Sequence, residues 1–192
     1  MMRSILVTTA ILICLTTAAF GQKKAAPHKT VFSSAYTDLG HGCQELPAEN
    51  GGDGATICRG PNRYQVRSYY SAATMQINAE IRGKDDLFPL ATLSLGFDQS
   101  KTRIEWRLAD GKPFAVILRV PTYDKPASDD EFFGKVIGEV LIVKGLKGFP
   151  NIDASINAKR ASANVEARAL ADKAYAESGN KPVKFTDLQK PH

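Results

Sequence analysis

The stretch from residue 103 to residue 120, RIEWRLADGKPFAVILRV, constrains the fold of this chain more than any other. Apolar residues alternate with charged ones before Asp110-Gly111, and a second, more apolar alternation follows that pair. A period of two is typical of a β-strand with one buried face, and Asp-Gly between two such runs favours a tight hairpin turn. The stretch therefore predicts two antiparallel strands at the centre of the fold.

The register of this hairpin depends on the length of its turn. A two-residue turn pairs Trp106 with Ala115 and puts Phe114 on the charged face. A three-residue turn over 109–111 pairs Trp106 with Phe114 and collects the large apolar side chains on one face. Because a slip of one residue turns every side chain to the opposite face, the apolar pattern favours the three-residue turn. It predicts that Trp106 and Phe114 are buried against each other.

The other face of the predicted hairpin carries charged side chains: Arg103, Glu105, Arg107 and Arg119. One interpretation is a binding strip, and these four residues are the candidate binding residues of the chain. The alternative is a solvated sheet face with a cross-strand ion pair, since charges on strands also keep proteins soluble and protect sheet edges. The sequence favours the second interpretation and leaves the first open.

Residues 1–21 have the pattern of a secretory signal peptide. Arg3 supplies a positive charge, residues 5–15 form a short apolar core, and the small residues Ala19 and Gly21 mark a cleavage site after Gly21. The apolar run is too short and too interrupted for a good membrane span, and no long apolar stretch follows it. The sequence therefore predicts an exported protein, periplasmic or secreted, with no membrane span after the signal is removed.

Two cysteines follow the predicted cleavage site, Cys43 and Cys58. In an oxidising compartment such a pair is typical of one disulfide, which contributes roughly 3 kcal/mol for a loop of this size in the chain-entropy description. A metal or redox pair is the alternative, and the spacing and the compartment disfavour it. Residues 49–54, Glu-Asn-Gly-Gly-Asp-Gly, predict a loop tip between the cysteines, and the full calcium-loop pattern is absent from them.

The formal net charge of the chain is +5 at pH 7, with basic and acidic residues interspersed. The sequence lacks the Lys/Arg block typical of nucleic-acid binding, so no nucleic-acid partner is predicted. The sequence predicts a flexible lead-in over residues 22–30 and a single domain over residues 31–178. Residues 179–192, which include two prolines, are predicted to form a loose tail. A domain of this length can bury a sizeable core.

Further strands and one helix complete the predicted fold. Residues 63–70 and 74–82 alternate as strands do, residues 90–97 are short and apolar, and residues 136–143 (VIGEVLIV) predict a central strand covered on both faces. From about Ala158 to Ser178 the apolar period changes to 3.6. The sequence predicts an α+β fold, with a mainly antiparallel, curved or partly closed β-sheet and one long C-terminal α-helix packed on it.

The predicted helix is rich in alanine. Ala163, Ala167, Leu170 and Ala174 fall on one stripe, whereas Ala169 lies about 200° round the helix from Ala167. The small side chains of the stripe predict a close approach of the helix to the sheet.

Residues suited to catalysis or metal binding are few. The histidines are His28, His41 and His192, and no set of three or four zinc ligands can be assembled around them. No nucleophile motif accompanies His41. No catalytic residue, metal or cofactor is predicted. Glu139, an acid inside an apolar strand, is a functional candidate if it is buried and an ion-pairing rim residue otherwise.

Four patterns carry a resemblance to known proteins. They are Ser34-Ala35-Tyr36-Thr37-Asp38-Leu39 before Cys43; Cys58-Arg59-Gly60-Pro61 before Tyr64; IEWRL and PFAVILR over 104–119; and Ala163-Asn164-x-x-Ala167-Arg168-x-x-Ala171-Asp172. With them, residues 32–175 resemble a family of small exported bacterial proteins of unknown function. The resemblance implies export and a single domain, and it carries over no activity or catalytic residue. Family members often have further cysteines flanking the final helix, which this chain lacks.

No stretch of the sequence demands a particular chemistry. Export, one disulfide and the lack of a catalytic set favour a non-enzymatic envelope module that binds an unidentified protein or envelope ligand. The alternative is a carboxylate-dependent hydrolase of the cell envelope that uses Glu105 or Glu139 with nearby arginines. Two carboxylates in one cleft, ~5–10 Å apart, would favour the hydrolase, whereas paired carboxylates on a shallow surface would favour the binding module.

Overall fold

The structure is a computed structural model that describes residues 28–48, 54–71 and 74–178. The predicted signal peptide (1–21) and C-terminal tail (179–192) lie outside the described residues, as do most of the lead-in and nearly all of the predicted loop tip at 49–54.

The described residues contain ten β-strands, one α-helix and a short 3₁₀ helix over Gln99–Lys101. Their bounds are β1 Phe32–Asp38, β2 Gln44–Leu46, β3 Ala55–Arg59, β4 Tyr64–Ser71, β5 Thr74–Ile81, β6 Leu87–Ser94, β7 Arg103–Ala109, β8 Lys112–Tyr123, β9 Val136–Gly145, β10 Asp153–Asn157 and α1 Ala163–Glu177.

The strands form two five-stranded sheets. Sheet A has the order β1-β7-β8-β9-β10 and sheet B the order β2-β3-β4-β5-β6, and all neighbours are antiparallel. The predicted α+β fold, with mainly antiparallel strands and one C-terminal helix, is confirmed. The strands divide between two separate sheets, where the sequence predicted one curved or partly closed sheet.

Sheets A and B share a hydrophobic core that is centred on Trp106. The Trp106 side chain is fully buried, and its ring lies 5.6 Å from that of Tyr64 between centroids. Its indole N–H donates a hydrogen bond to Thr37 Oγ1 at 2.8 Å, so the polar end of this buried aromatic residue is satisfied. Gly60 lies against the ring, where a Cβ atom would come within 2.6 Å of Trp106 Cζ2. The core therefore depends on a small residue at position 60.

The predicted register of the central hairpin is wrong. Trp106 pairs with Val116, and Phe114 lies on the opposite face of sheet A. The turn has two residues, Asp110 and Gly111, both with positive φ, as a type I′ turn requires. The register then shifts by one residue beside Arg107, at a β-bulge that contains Phe114. A bulge places two residues opposite one, so β8 can send Phe114 to one core and Val116 to the other.

Helix α1 packs on the face of sheet A that points away from sheet B. Ala163, Ala167 and Ala171 are fully buried there, together with Phe114. Tyr175 contributes a ring 4.6 Å from that of Phe114 between centroids. Docking through the alanine-rich side is confirmed: Ala163 and Ala167 of the predicted stripe are fully buried, whereas Leu170 and Ala174 are partly buried and Ala171 completes the buried side. Sheet A is consequently covered on both faces.

Cys43 and Cys58 form a disulfide, as predicted. The bond joins the segment before β2 to the end of β3, and Cys58 is buried in the core between the sheets. In the described ranges, no helix is long and apolar enough to cross a bilayer.

Candidate functional site

The four predicted binding residues share the helix-side face of sheet A, but helix α1 covers the middle two. Arg103 lies at the exposed end of β7, with its guanidinium 3.6 Å from the carboxylate of Asp38. Glu105 and Arg107 are buried under helix α1. Arg119 is half-exposed on β8 and pairs with Glu139 at 3.2 Å. We call this set the charged strip, and its two middle members are inaccessible to a large ligand.

Two ion pairs join the middle of the charged strip to helix α1. The Arg107 guanidinium donates to both carboxylate oxygens of Asp172, at 2.8 and 2.6 Å from Nη2. The Arg168 guanidinium donates to Glu105 at 2.7 Å from Nε and 3.1 Å from Nη2, and these bonds raise the pKa of Arg168 above its usual value. Ser34 joins the pairs, since its hydroxyl donates to Glu105 and accepts from Arg107, each at 2.5 Å.

These groups form a neutral set in which each charge has an opposite partner. Arg107 and Glu105 are only 6 and 7 % exposed. A buried charge of this kind is tolerated because it is paired and hydrogen-bonded. The arrangement fixes the helix on sheet A and leaves neither carboxylate free for acid–base chemistry.

The surface of sheet B that points away from the core differs from both faces of sheet A. No described helix or strand packs on it; helix α1 contacts sheet A. We call this surface the open face. Its central rows are planar polar or aromatic side chains that alternate with core residues along the strands: Gln65, Arg67 and Tyr69 on β4, and Gln76, Asn78 and Glu80 on β5.

Glu80 is the most unusual residue of the open face, because it is a carboxylate only 6 % exposed. One of its oxygens accepts from the Gln65 amide, and the other accepts from Arg67 Nε at 2.9 Å. Arg67 makes no other hydrogen bond to a described residue, so its terminal nitrogens are available. The three side chains line a concave pocket of about 440 Å³ together with Lys84, Asp85 and Leu87, a size within the usual range for small-ligand sites.

Asn78 lies beside this pocket, directly across from Arg67 on the neighbouring strand. It is 3 % exposed, and its Nδ2 donor has no partner among the described residues. A buried amide donor without a partner costs about 1–3 kcal/mol, so it calls for an explanation. Asn78 lines neither of the pockets described for this face, so its unpartnered donor is enclosed by protein.

A second pocket of about 440 Å³ lies at the end of the open face near the disulfide. Arg59 from the end of β3 and Arg82 just after β5 line it, and Gln65 belongs to both pockets. The two concavities therefore meet at one amide side chain, and together they follow the open face across β3, β4 and β5.

Among the described residues, no group of three or more His, Cys, Asp or Glu side chains is placed to hold a metal ion. His41 is largely exposed and lies 3.4 Å from Asp38. The backbone N–H of Gly40, and then His41, lower the pKa of Asp38. This cluster is on the surface and contains no nucleophile.

The open face cannot be recognised from the sequence pattern. The alternation along β4 and β5 was visible, and it showed that one side of each strand is polar. It did not show that these polar residues remain uncovered, whereas the polar residues of β7 are buried by a helix. The signal present in the sequence was the choice of residue: planar amides, a guanidinium and a tyrosine, with few lysines.

No protein-family model, curated protein or solved structure matches this chain.

Proposed function

We propose that this chain is an exported, non-enzymatic binding module that takes a component of the cell envelope on the open face of sheet B. The observation that carries the proposal is the difference between the two sheets. Sheet A is covered by sheet B and by helix α1, while the open face has no described element on it and contains two concave pockets.

The side chains of the open face suit recognition of a polar ligand. Amides and guanidinium groups provide fixed, planar sets of donors and acceptors, and an aromatic ring provides flat contact area at a low entropic cost. Glu80 holds Arg67 through Nε, which orients the two free terminal nitrogens.

Export is supported by the signal-peptide pattern of residues 1–21 and by the disulfide between Cys43 and Cys58. Disulfides persist mainly in oxidising compartments, so a periplasmic or secreted location fits both features. The resemblance to small exported bacterial proteins supports the same location and leaves the ligand unspecified.

The hydrolase alternative receives less support from the geometry. Glu105 is paired with Arg168 beneath the helix, and Glu139 is 54 % exposed and paired with Arg119. Neither acid lines either pocket of the open face. A glycosidase-type mechanism needs two carboxylates that face one cleft. Glu80 and Asp85 both line the first pocket of the open face, but both oxygens of Glu80 are already held by Gln65 and Arg67, so binding is the function that we propose.

The test is capture of envelope components by the protein purified after export. Tyr69 lies on the open face and donates to Gln76 at 2.8 Å, so Tyr69→Ala should reduce capture at least about tenfold, the loss that ~1.4 kcal/mol of binding energy produces. Tyr36→Ala is the matched control, because Tyr36 is a half-exposed tyrosine on the helix side of sheet A. Equal capture by wild type and Tyr69→Ala, or a loss confined to Tyr36→Ala, would place binding elsewhere.

A further inference from the structure

The pocket beside the disulfide has a strongly basic lining; we call it the Arg59 pocket. It is lined by Gly42, Cys43, Gln44, Ile57, Arg59, Gln65 and Arg82. The lining contains two guanidinium groups and two side-chain amides, and it contains no acid. A pocket with this composition attracts anions, because nothing in its wall neutralises the two cations.

The two arginines of this pocket differ from most of the described arginines. Both are exposed, and neither forms an ion pair with a carboxylate in the described part of the chain. The remaining described arginines, apart from Arg63, each pair with an acid: Arg67, Arg103, Arg107, Arg119, Arg160 and Arg168. Arg63, whose guanidinium donates to the Arg82 carbonyl, is also without an acidic partner among the described residues. Uncompensated guanidinium charge is thus concentrated at one end of the open face.

The backbone that carries these arginines is firmly held. Arg59 follows the disulfide-bonded Cys58, and its carbonyl accepts from the Thr37 hydroxyl at 2.9 Å. The Arg82 N–H donates to the Arg63 carbonyl at 2.8 Å, and the Arg63 guanidinium donates to the Arg82 carbonyl at 3.0 Å. Fixed attachment points reduce the ordering cost of binding, so two flexible side chains on this base can act as a clamp.

The charge and geometry of the lining select the ligand. A guanidinium presents parallel N–H donors that match the oxygens of phosphate and carboxylate. Two such groups in a lining that contains no acid fit a dianion better than a monoanion, and a phosphate monoester carries about −1.5 to −2 charges at pH 7. The neighbouring Arg67–Glu80 pair is neutral as a unit, so it does not repel such a group.

We infer that the Arg59 pocket binds a phosphate group of an envelope ligand, with Arg59 and Arg82 as its two clamps and, as a further donor, the N–H of Gln65 Nε2 that is not bonded to Glu80. This inference rests on the proposed binding function and specifies the chemistry at one end of the open face. The phosphate can belong to a lipid headgroup or to a soluble or glycan-linked monoester, since the same donors recognise both.

The first experiment titrates inorganic phosphate into the exported protein and follows the side-chain N–H signals of arginine and glutamine by NMR. Wild type should give saturable shifts, and the double variant Arg59→Gln/Arg82→Gln should bind at least tenfold more weakly. The control Lys159→Gln/Arg160→Gln removes the same charge from exposed sites on the helix side of sheet A and should bind within about twofold of wild type. Because both arginines are exposed, the double variant should melt like wild type.

Three outcomes would overturn the inference: no saturable shift in wild type, equal binding by the double variant, or an equal loss in the control. Arg59→Lys/Arg82→Lys gives a second criterion, since it keeps the charge and removes the planar fork. The phosphate affinity of this lysine variant should fall between those of wild type and the glutamine variant. If the lysine variant binds phosphate as tightly as wild type, the attraction depends on charge alone and the site is not specific for the guanidinium geometry.

The second experiment separates the two sources of phosphate with vesicles. The site recognises a lipid headgroup if the protein binds phosphatidylcholine vesicles that contain phosphatidic acid, does not bind vesicles of phosphatidylcholine alone, and loses this binding in the double arginine variant. Binding of free phosphate without vesicle binding assigns it to a soluble or glycan-linked group. If Tyr69-dependent envelope capture persists in the double arginine variant, the phosphate inference fails and the proposed function stands. If phosphate binding depends on both arginines while envelope capture is unchanged by Tyr69→Ala, the phosphate inference stands and the proposed function fails.

Discussion

The docking of helix α1 can be tested by one pair of substitutions. Ala167 is at the middle of the helix and fully buried against sheet A, between Ala163 and Ala171. Ala169 is exposed and lies about 200° round the helix from Ala167, at ~100° per residue. Replacing each by leucine adds the same three carbon atoms in the same helix, so the two variants differ only in what the new side chain meets.

The expected magnitudes follow from these positions. At Ala167 the added carbons meet the packed layer around Phe114 and Val143, and overpacking of this kind costs about 1–3 kcal/mol. At Ala169 they meet solvent, and leucine is nearly as good a helix former as alanine, so the change should be within about 0.3 kcal/mol. For a protein of this size 1 kcal/mol shifts Tm by about 2–4 °C, which predicts a fall of roughly 2–12 °C for Ala167→Leu.

The assay is thermal and urea unfolding of both variants and wild type, followed by far-ultraviolet circular dichroism. Equal urea slopes would show that the unfolding reaction itself is unchanged. If the two variants melt alike, or Ala169→Leu is the less stable one, the helix does not dock through the alanine stripe.

Three further predictions concern the two cores. Asp172→Ala leaves the buried Arg107 guanidinium without its bidentate partner and should cost about 3 kcal/mol in urea unfolding; a loss below about 1 kcal/mol would contradict this. Burial raises the pKa of Tyr64 in the folded protein above its value in the unfolded chain, which is about 10. The neutral Tyr64 hydroxyl therefore contributes fully to the free energy of unfolding below pH ~10, and this contribution is lost as pH rises through the folded-state pKa. Tyr64→Phe should therefore flatten the decline of the unfolding free energy at alkaline pH. An unchanged slope of unfolding free energy against pH would show that Tyr64 does not cause this decline. Gly60→Ala would put a Cβ atom 2.6 Å from the Trp106 ring and should cost about 1–3 kcal/mol, with a change in tryptophan emission; an unaltered midpoint and spectrum would count against this contact.

Regular hydrophobic periodicity predicted most of the elements. The strands expected at 63–70 and 74–82 are β4 and β5 to within one residue at each end, and the helix expected over 158–178 begins at Ala163. Each has one buried side, so its pattern records which residues face the core. Elements of this kind can be predicted from local sequence.

Elements that depend on their neighbours were less predictable. β2 and β3 are short, and they exist because they pair with each other and with β4 beside the disulfide. The strand expected at 90–97 lies at 87–94 and contains Pro89. Proline is tolerated there because β6 is an edge strand.

The strand expected at 136–143 was predicted to be central and covered on both faces. Its first residues, Val136 and Ile137, are 62 and 59 % exposed, because this end pairs with the last part of β8 beyond the buried core. Further along the strand, Leu141 and Val143 are buried as predicted. An apolar run predicts a strand, but the extent of its cover is set by distant parts of the chain.

The same limitation applies to the candidate site. Glu105 and Arg107 on β7 alternate with apolar residues just as Arg67 and Glu80 do on their strands, and no local feature separates the two pairs. The difference arises because helix α1, more than fifty residues further along the chain, covers the polar side of β7. Sequence alone therefore located the polar strand faces and could not decide which of them remains accessible.

The two ion pairs under the helix explain how a stripe of alanines can dock in one position. Methyl-sized side chains repeat every turn and give little resistance to a slip along the axis. Arg168 and Asp172 are one turn apart, a rise of about 6 Å, and their partners Glu105 and Arg107 are two residues apart on a strand, about 6.6 Å; the spacings match. A slip of one turn in one direction would set Arg168 against Arg107, and in the other direction would set Asp172 against Glu105. Each slip places like charges together in a buried layer, which is strongly unfavourable. Glu105 and Arg107, which the sequence offered only as candidate binding residues, therefore help to specify the position of the helix.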